Sequence, residues 1–149
     1  MKIKTLKQLN DVNRAVIKFR GFSAAWSAEH HIGYNEMLIL YTIREKGYCI
    51  QKQICDSYLL PRQTINNVIT ALRKDGILTI SEEHSIGREK AFILTQKGSD
   101  YFRPFLDSLN AVESRAVELL GAEKLEKLTE LMLEYDQALQ KALEESRET

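Results

Sequence analysis

The sequence predicts a mainly α protein with a small antiparallel β-hairpin wing: a winged helix-turn-helix flanked by N- and C-terminal dimerisation helices. Three observations predict it. Apolar residues recur at helical spacing along most of the chain. Residues 51–98 run in the order short helix, tight turn, second helix, then two extended segments around a polar, glycine-containing tip. Only two prolines, Pro61 and Pro104, interrupt 149 residues, which suits long helices.

The first helix shows Leu6, Leu9, Val12, Val16 and Phe19 at 3-3-4-3 spacing, the apolar stripe of an amphipathic helix. It ends near His30 and His31. A second helix carries Met37, Leu38, Leu40, Tyr41 and Ile43. Next comes a short helix opening with Gln51, Lys52 and Gln53 and holding Ile54 and Cys55. After the turn at Pro61, a helix of about 61–75 buries Ile65, Val68, Ile69 and Leu72. Its remaining positions hold Arg62, Gln63, Thr64, Asn66, Asn67, Thr70, Arg73 and Lys74. Those side chains hydrogen-bond base edges and phosphates, whereas a helix facing only water is better served by the stronger helix formers Glu and Lys.

Gly76 falls where a C′ glycine ends a helix. Ile77, Leu78 and Ile80 begin one strand, and Ala91, Phe92, Ile93 and Leu94 form another. Residues of about 82–90 make the wing, with Arg88 and Lys90 at or beside its tip, where positive charge meets a phosphate or the minor groove. The plain alternative for Arg88 is a solvated loop charge. Beyond Gly98, a long helix bears Tyr101, Phe102, Phe105, Leu106, Leu109 and Val112, with Pro104 kinking it or shifting its start. The last helix follows Gly121 and sets Leu125, Leu128, Met132, Tyr135, Leu139 and Ala142 at 3-4-3-4-3 spacing, a heptad-like seam widened by Leu131 and Leu143. The terminal stripes offer more apolar surface than one winged head can cover, so they are expected to pack against a second subunit. A monomer with its terminal helices folded back is the alternative.

The run LPRQTINNVITALRKDGIL, followed by a polar tip and FILTQKG, resembles the DNA-binding core of the MarR (multiple-antibiotic-resistance regulator) transcription factors. The matching positions are Pro61, Leu72 to Gly76, Arg88, and Leu94, Thr95 and Gly98, and the similarity extends to both flanks. Each short motif is shared with other winged-helix families; their order, spacing and total length are more specific. The resemblance implies an intertwined two-fold dimer. Residues 34–98 would be the winged DNA-binding region, and residues 1–33 with 99–149 the helical dimerisation region. It also implies a cleft for small aromatic or phenolic effectors, for which Trp26, His30, Tyr34 and Tyr41 are candidates; the competing reading of these rings is core filling. One position departs from the family pattern. An Asp often stands two residues before the wing-tip Arg, and here that residue is Ile86. Either Glu82, Glu83 or Glu89 supplies the carboxylate, or Arg88 is less rigidly held.

A net charge of zero conceals an uneven distribution. Residues 1–43 hold six basic and three acidic residues, residues 44–98 nine and six, and residues 107–149 five and eleven. DNA requires local positive potential rather than a basic protein, so a basic head with an acidic tail suits it. The expected partners are double-stranded DNA with a pseudo-palindromic operator and a second copy of the chain. The N-terminus lacks the apolar run of a signal peptide, and no stretch is long enough to span a membrane. With only Cys49 and Cys55, and no framework spacing, a cytoplasmic location is expected.

Cys55 reads as a small core hydrophobe. Cys49 precedes its helix and is expected to be partly exposed. Some relatives sense peroxides through a Cys in the first helix, where this chain has none. Adjacent His30 and His31 make a poor chelating pair, leaving His31 with Glu36 as the only metal pairing to consider, so no cofactor is expected. No phosphate loop or nucleophile elbow is present, and the reading is of a regulator rather than an enzyme. The competing function is a winged-helix protein-interaction module; that would favour exposed apolar anchors where this chain has amides, hydroxyls and guanidinium groups.

Overall fold

A computed structural model describes residues 2–147. It has six helices and a three-stranded sheet: α1 (Ile3–Glu29), α2 (Tyr34–Lys46), β1 (Cys49–Ile50), α3 (Gln51–Tyr58), α4 (Arg62–Lys74), β2 (Leu78–Ile86), β3 (Glu89–Leu94), α5 (Gln96–Leu120) and α6 (Ala122–Arg147). The expected mainly helical fold with a β wing is thus present. The chain divides into two compact units, residues up to Arg103 and residues from Pro104.

In the first unit, α2 packs on α3 and α4, and α3 packs on α4. Met37, Ile39, Leu40, Ile54, Ile65 and Phe102 are all buried there. The sheet is antiparallel in the order β1-β3-β2. Its third strand was not legible in the sequence. Cys49 and Ile50 pair with Phe92 and Ala91 and tie the start of α3 to the wing. Cys49 is consequently buried, not partly exposed as its position before a helix suggested. Cys55 is buried as expected.

The helix ends follow from local chemistry. Glu36 Oε2 accepts from the Gly33 N–H at 2.6 Å, satisfying a free donor at the start of α2. Gly76 adopts the left-handed φ of 70° just after α4, as a C′ glycine does. The Leu-Thr-x-x-Gly motif also has a physical reading. Thr95 Oγ1 accepts from the Gly98 N–H at 3.0 Å and donates to Gly76 O at 2.6 Å, capping α5 and pinning it to the end of α4. A Cβ at Gly98 would collide with the Ile77 carbonyl, so only glycine allows that approach. Because Thr95 caps the helix, α5 begins at Gln96, before the Gly98 boundary the sequence suggested. It continues through Pro104 without a break in the helix.

Each unit carries the stripe that its sequence predicts. On α1, Leu6, Val12 and Val16 are 44%, 41% and 45% exposed, Phe19 is exposed and Leu9 is half-buried. The second unit contains α6, in which no residue is buried. Its seam residues Leu125, Leu128, Met132 and Leu139 are 37–49% exposed, and Tyr135 is half-buried.

Candidate nucleic-acid interface

Helix α4 separates its two faces cleanly. Ile65, Ile69 and Leu72 are buried, and Val68 is half-buried at the edge of the stripe. Arg62, Gln63, Asn66, Asn67, Thr70, Arg73 and Lys74 are exposed, and Thr64 is half-buried. The 3.6-residue period explains the division: positions 62, 66, 70 and 73 share the face opposite the core. Gln63 Nε2 donates to Asn67 Oδ1 at 2.7 Å, joining two candidate base-reading amides.

The turn into α4 is held by side-chain chemistry. Gln51 Nε2 donates to Arg62 O at 3.0 Å, so the first residue of α3 fixes the start of α4. Leu59, 88% exposed, adopts a left-handed φ of 51° to end α3. Gln51, Lys52, Arg62 and Glu89 line a small cavity of about 100 Å³. Lys52, Gln53, Asp56, Ile86 and Glu89 line a neighbouring one of about 230 Å³. The expected contact residues of α3 and α4 therefore converge beside the tip of the wing, at Ile86 and Glu89. They meet two carboxylates there, Asp56 and Glu89, whose presence at this face sequence reasoning missed. In the sequence Glu89 reads only as a partner for Arg88, because sequence distance gives no hint that the tip end of the wing lies beside α3.

The wing is more ordered than a polar loop. Strand β2 runs to Ile86 and β3 starts at Glu89, leaving only Gly87 and Arg88 at the tip. Ser81 pairs with Ala91 and Ile86 with Glu89, so residues 82–85 bulge opposite Lys90 alone. Side chains hold this bulge. Ser85 Oγ donates to Ser81 O at 2.7 Å and accepts from the Ala91 N–H at 3.0 Å. His84 Nδ1 lies 2.8 Å from Ser81 Oγ, and its ring stacks on Tyr48 with centroids 4.4 Å apart. Lys90 Nζ pairs with Glu82 at 3.2 Å. Arg88 is exposed and makes no ion pair among the described residues. Arg73 is tied to the sheet: its guanidinium stands 5.7 Å from the Phe92 ring centroid.

The four effector candidates occupy different settings. Trp26 and His30 are together, with ring centroids 4.5 Å apart and His30 Nδ1 2.9 Å from Trp26 O. The Trp26 Nε1 donor is buried and has no hydrogen-bond partner among the described residues. Tyr41 lies under the Arg44 guanidinium at 5.1 Å and Tyr34 under that of Arg20 at 5.4 Å. Tyr34 also lines a groove of about 370 Å³ with Asn35, Glu36, Asn67, Val68 and Ala71, between the start of α2 and α4. Among the described residues no group of three or more metal-binding side chains is present, and no helix is long and apolar enough to cross a membrane.

The family described as a winged helix DNA-binding domain matches residues 32–98. One curated relative, a phenylalanine–tRNA ligase alpha subunit from Pyrococcus abyssi, is 29% identical over 100 residues; the match takes in 67% of this chain and spans 18% of that protein's length. Among solved structures, a MarR family regulator from Neisseria meningitidis superposes with a TM-score of 0.83 at 22% identity, over 93% of this chain and 98% of that one. NadR in complex with 4-hydroxyphenylacetate has a TM-score of 0.70 at 19% identity, over 83% and 91%. The transcriptional repressor CouR bound to a 23-mer DNA duplex has a TM-score of 0.65 at 19% identity, over 91% and 98%. At such identities the shared property is the fold. Residues 32–98 match the model described as a winged helix DNA-binding domain, and the chain shares its fold with the MarR family regulator from Neisseria meningitidis.

Proposed function

We propose that this protein is a homodimeric, sequence-specific DNA-binding transcriptional regulator, a repressor whose grip a small ligand relieves. The observation that carries the reading is α4: an exposed face of Arg62, Gln63, Asn66, Asn67 and Thr70 on a helix anchored by Ile65, Ile69 and Leu72. Such a helix enters the major groove with its N-terminal residues toward the base edges. Gln51, Lys52, Gln53, Arg73 and Lys74 hold the backbone, and Arg88 with Lys90 brings the wing to the minor groove or its phosphates. Residues 34–98 form the reading head. Residues 1–33 and 99–149 form one intertwined dimerisation region, supported by the exposed stripes on α1 and α6. Two heads then read half-sites about one helical turn apart.

Ligand relief draws support from Trp26. A buried indole N–H without an acceptor is a costly group, and an aromatic effector bearing an oxygen acceptor would satisfy it. NadR, of the same fold, binds 4-hydroxyphenylacetate.

The test is fluorescence anisotropy of the full chain on its own upstream intergenic DNA and on scrambled DNA, at about 50 and 200 mM salt. Tight binding to the native fragment alone is expected, with Arg62→Ala costing about 1–3 kcal/mol on that fragment. Equal, weak binding to both fragments that salt abolishes would favour the interaction-module reading.

A further inference from the structure

Gln63 and Asn67 stand four residues apart on the exposed face of α4 and are joined by a 2.7 Å hydrogen bond, Gln63 Nε2 donating to Asn67 Oδ1. Neither side chain is buried. The bond divides the roles of two amides that are chemically alike in isolation. Gln63 keeps its Oε1 acceptor and one N–H donor. Asn67 has its oxygen engaged and keeps both N–H donors. A donor beside an acceptor complements adenine, which offers N7 and the N6 amino group in the major groove. Paired donors complement an edge offering acceptors, as guanine N7 and O6 or thymine O4 do.

The spacing fits this division. Residues four apart on a helix are separated by about 6 Å along its axis. Base pairs follow one another every 3.4 Å or so, which places the two contacts within about two steps. On one side, Asn67 lines the groove between α2 and α4 with Val68 and Ala71, an open wall that leaves its amide room. Water weakens an exposed side-chain bond of this kind. In a DNA groove, with water excluded, the same bond strengthens and holds the amide planes against the base edges.

We infer that Gln63 and Asn67 act as a single hydrogen-bonded reading unit, Gln63 selecting adenine and Asn67 selecting guanine or thymine within two base pairs of it. The inference rests on α4 being the recognition helix. Its consequence is non-additive: losing Asn67 releases the Gln63 amide, so selection of the adenine weakens although the residue that reads it is still present. Asn66, adjacent in sequence but outside the pair, has no such effect on the adenine.

The experiment selects sites from random duplex DNA with the full chain. Dissociation constants of wild type, Gln63→Ala, Asn67→Ala, Asn66→Ala and the double variant Gln63→Ala/Asn67→Ala are then measured on the selected site and its single-base changes. For wild type, the selected site holds an adenine with guanine or thymine within two steps. Gln63→Ala lowers discrimination at that adenine by about tenfold. Asn67→Ala lowers it by about threefold or more, in addition to the loss at its own base. The double variant loses no more at the adenine than Gln63→Ala alone. Asn67→Asp keeps the acceptor for Gln63 and removes the donors. Its added charge weakens all binding, yet the adenine ratio stays at the wild-type value while selection at the second base is lost. Adenine discrimination untouched by Asn67→Ala, on a site that wild type selects, would overturn the inference alone. A wild-type protein that selects no site would overturn the recognition-helix reading and the inference with it.

Discussion

Cys49 is fully buried where β1 meets β3, and burial pushes its thiol up to about 12 from the ordinary 9.0. The same cause raises the Cys55 thiol, opposed by the nearby Arg62 charge and reinforced by that of Asp56. Thiols react as thiolates, so both residues behave as core atoms rather than sensors. In the native protein a maleimide should label neither cysteine, and in the unfolded chain both; rapid native labelling of Cys49 would contradict the packing. The raised value also fixes a pH dependence. Its contribution to stability is fully present below about pH 9 and is lost as pH rises toward 12, by about 1.4 kcal/mol per unit, because only the unfolded thiol ionises there. Urea melts at rising pH should show the wild type losing stability faster than Cys49→Val. Leu59 carries a different strain. A left-handed backbone at an exposed leucine costs about 1–2 kcal/mol, part of which glycine recovers. Leu59→Gly should therefore melt higher, by about 0.5–1 kcal/mol in stability. An unchanged or lower stability would mean that Leu59 makes a contact worth more than its strain.

The elements differ in how far the sequence reveals them, and the reason lies in what fixes each. Helix α4 was legible because its core stripe has a 3.6-residue period and its other face holds an uncommon set of polar residues. Strand β1 was not: two residues carry no period, and their partners lie some forty positions away. The wing was half legible. Its apolar strand cores stood out, but the bulge that carries β2 to Ile86 depends on Ser81, His84 and Ser85, polar residues that read as loop. Ser85 is the critical one, since its hydroxyl satisfies the N–H of Ala91, a fully buried residue. Ser85→Ala leaves that donor without its acceptor and should cost about 1–3 kcal/mol of stability in urea unfolding. Ser85→Thr, which keeps the hydroxyl, should recover most of it. Equal stability of Ser85→Ala and wild type would show that the bulge is held by something else.

At the scale of the whole molecule, the two compact units share one property: each exposes an apolar stripe that its sequence announced. Leu6, Val12 and Val16 on α1 and Leu125, Leu128, Met132 and Leu139 on α6 are too regular to be scattered surface residues. Full burial of a side chain of this size contributes about 1.5–3 kcal/mol, and a second copy of the chain would supply the share that these half-covered residues still expose. Sedimentation should give a dimer of the 17.2 kDa chain. Leu128→Asp with Met132→Asp should shift it to monomer and weaken operator binding, because one head alone loses the second half-site. A wild type that sediments as monomer would remove the dimer from the account. The central claim remains that α4 reads bases from the major groove, and the most direct measurement replaces the purines of a selected site with 7-deazapurines. The substitution removes the N7 acceptors while leaving pairing and the minor groove in place. The account predicts a loss of about tenfold or more in affinity, with the salt dependence unchanged. Full affinity on the 7-deaza duplex would contradict it.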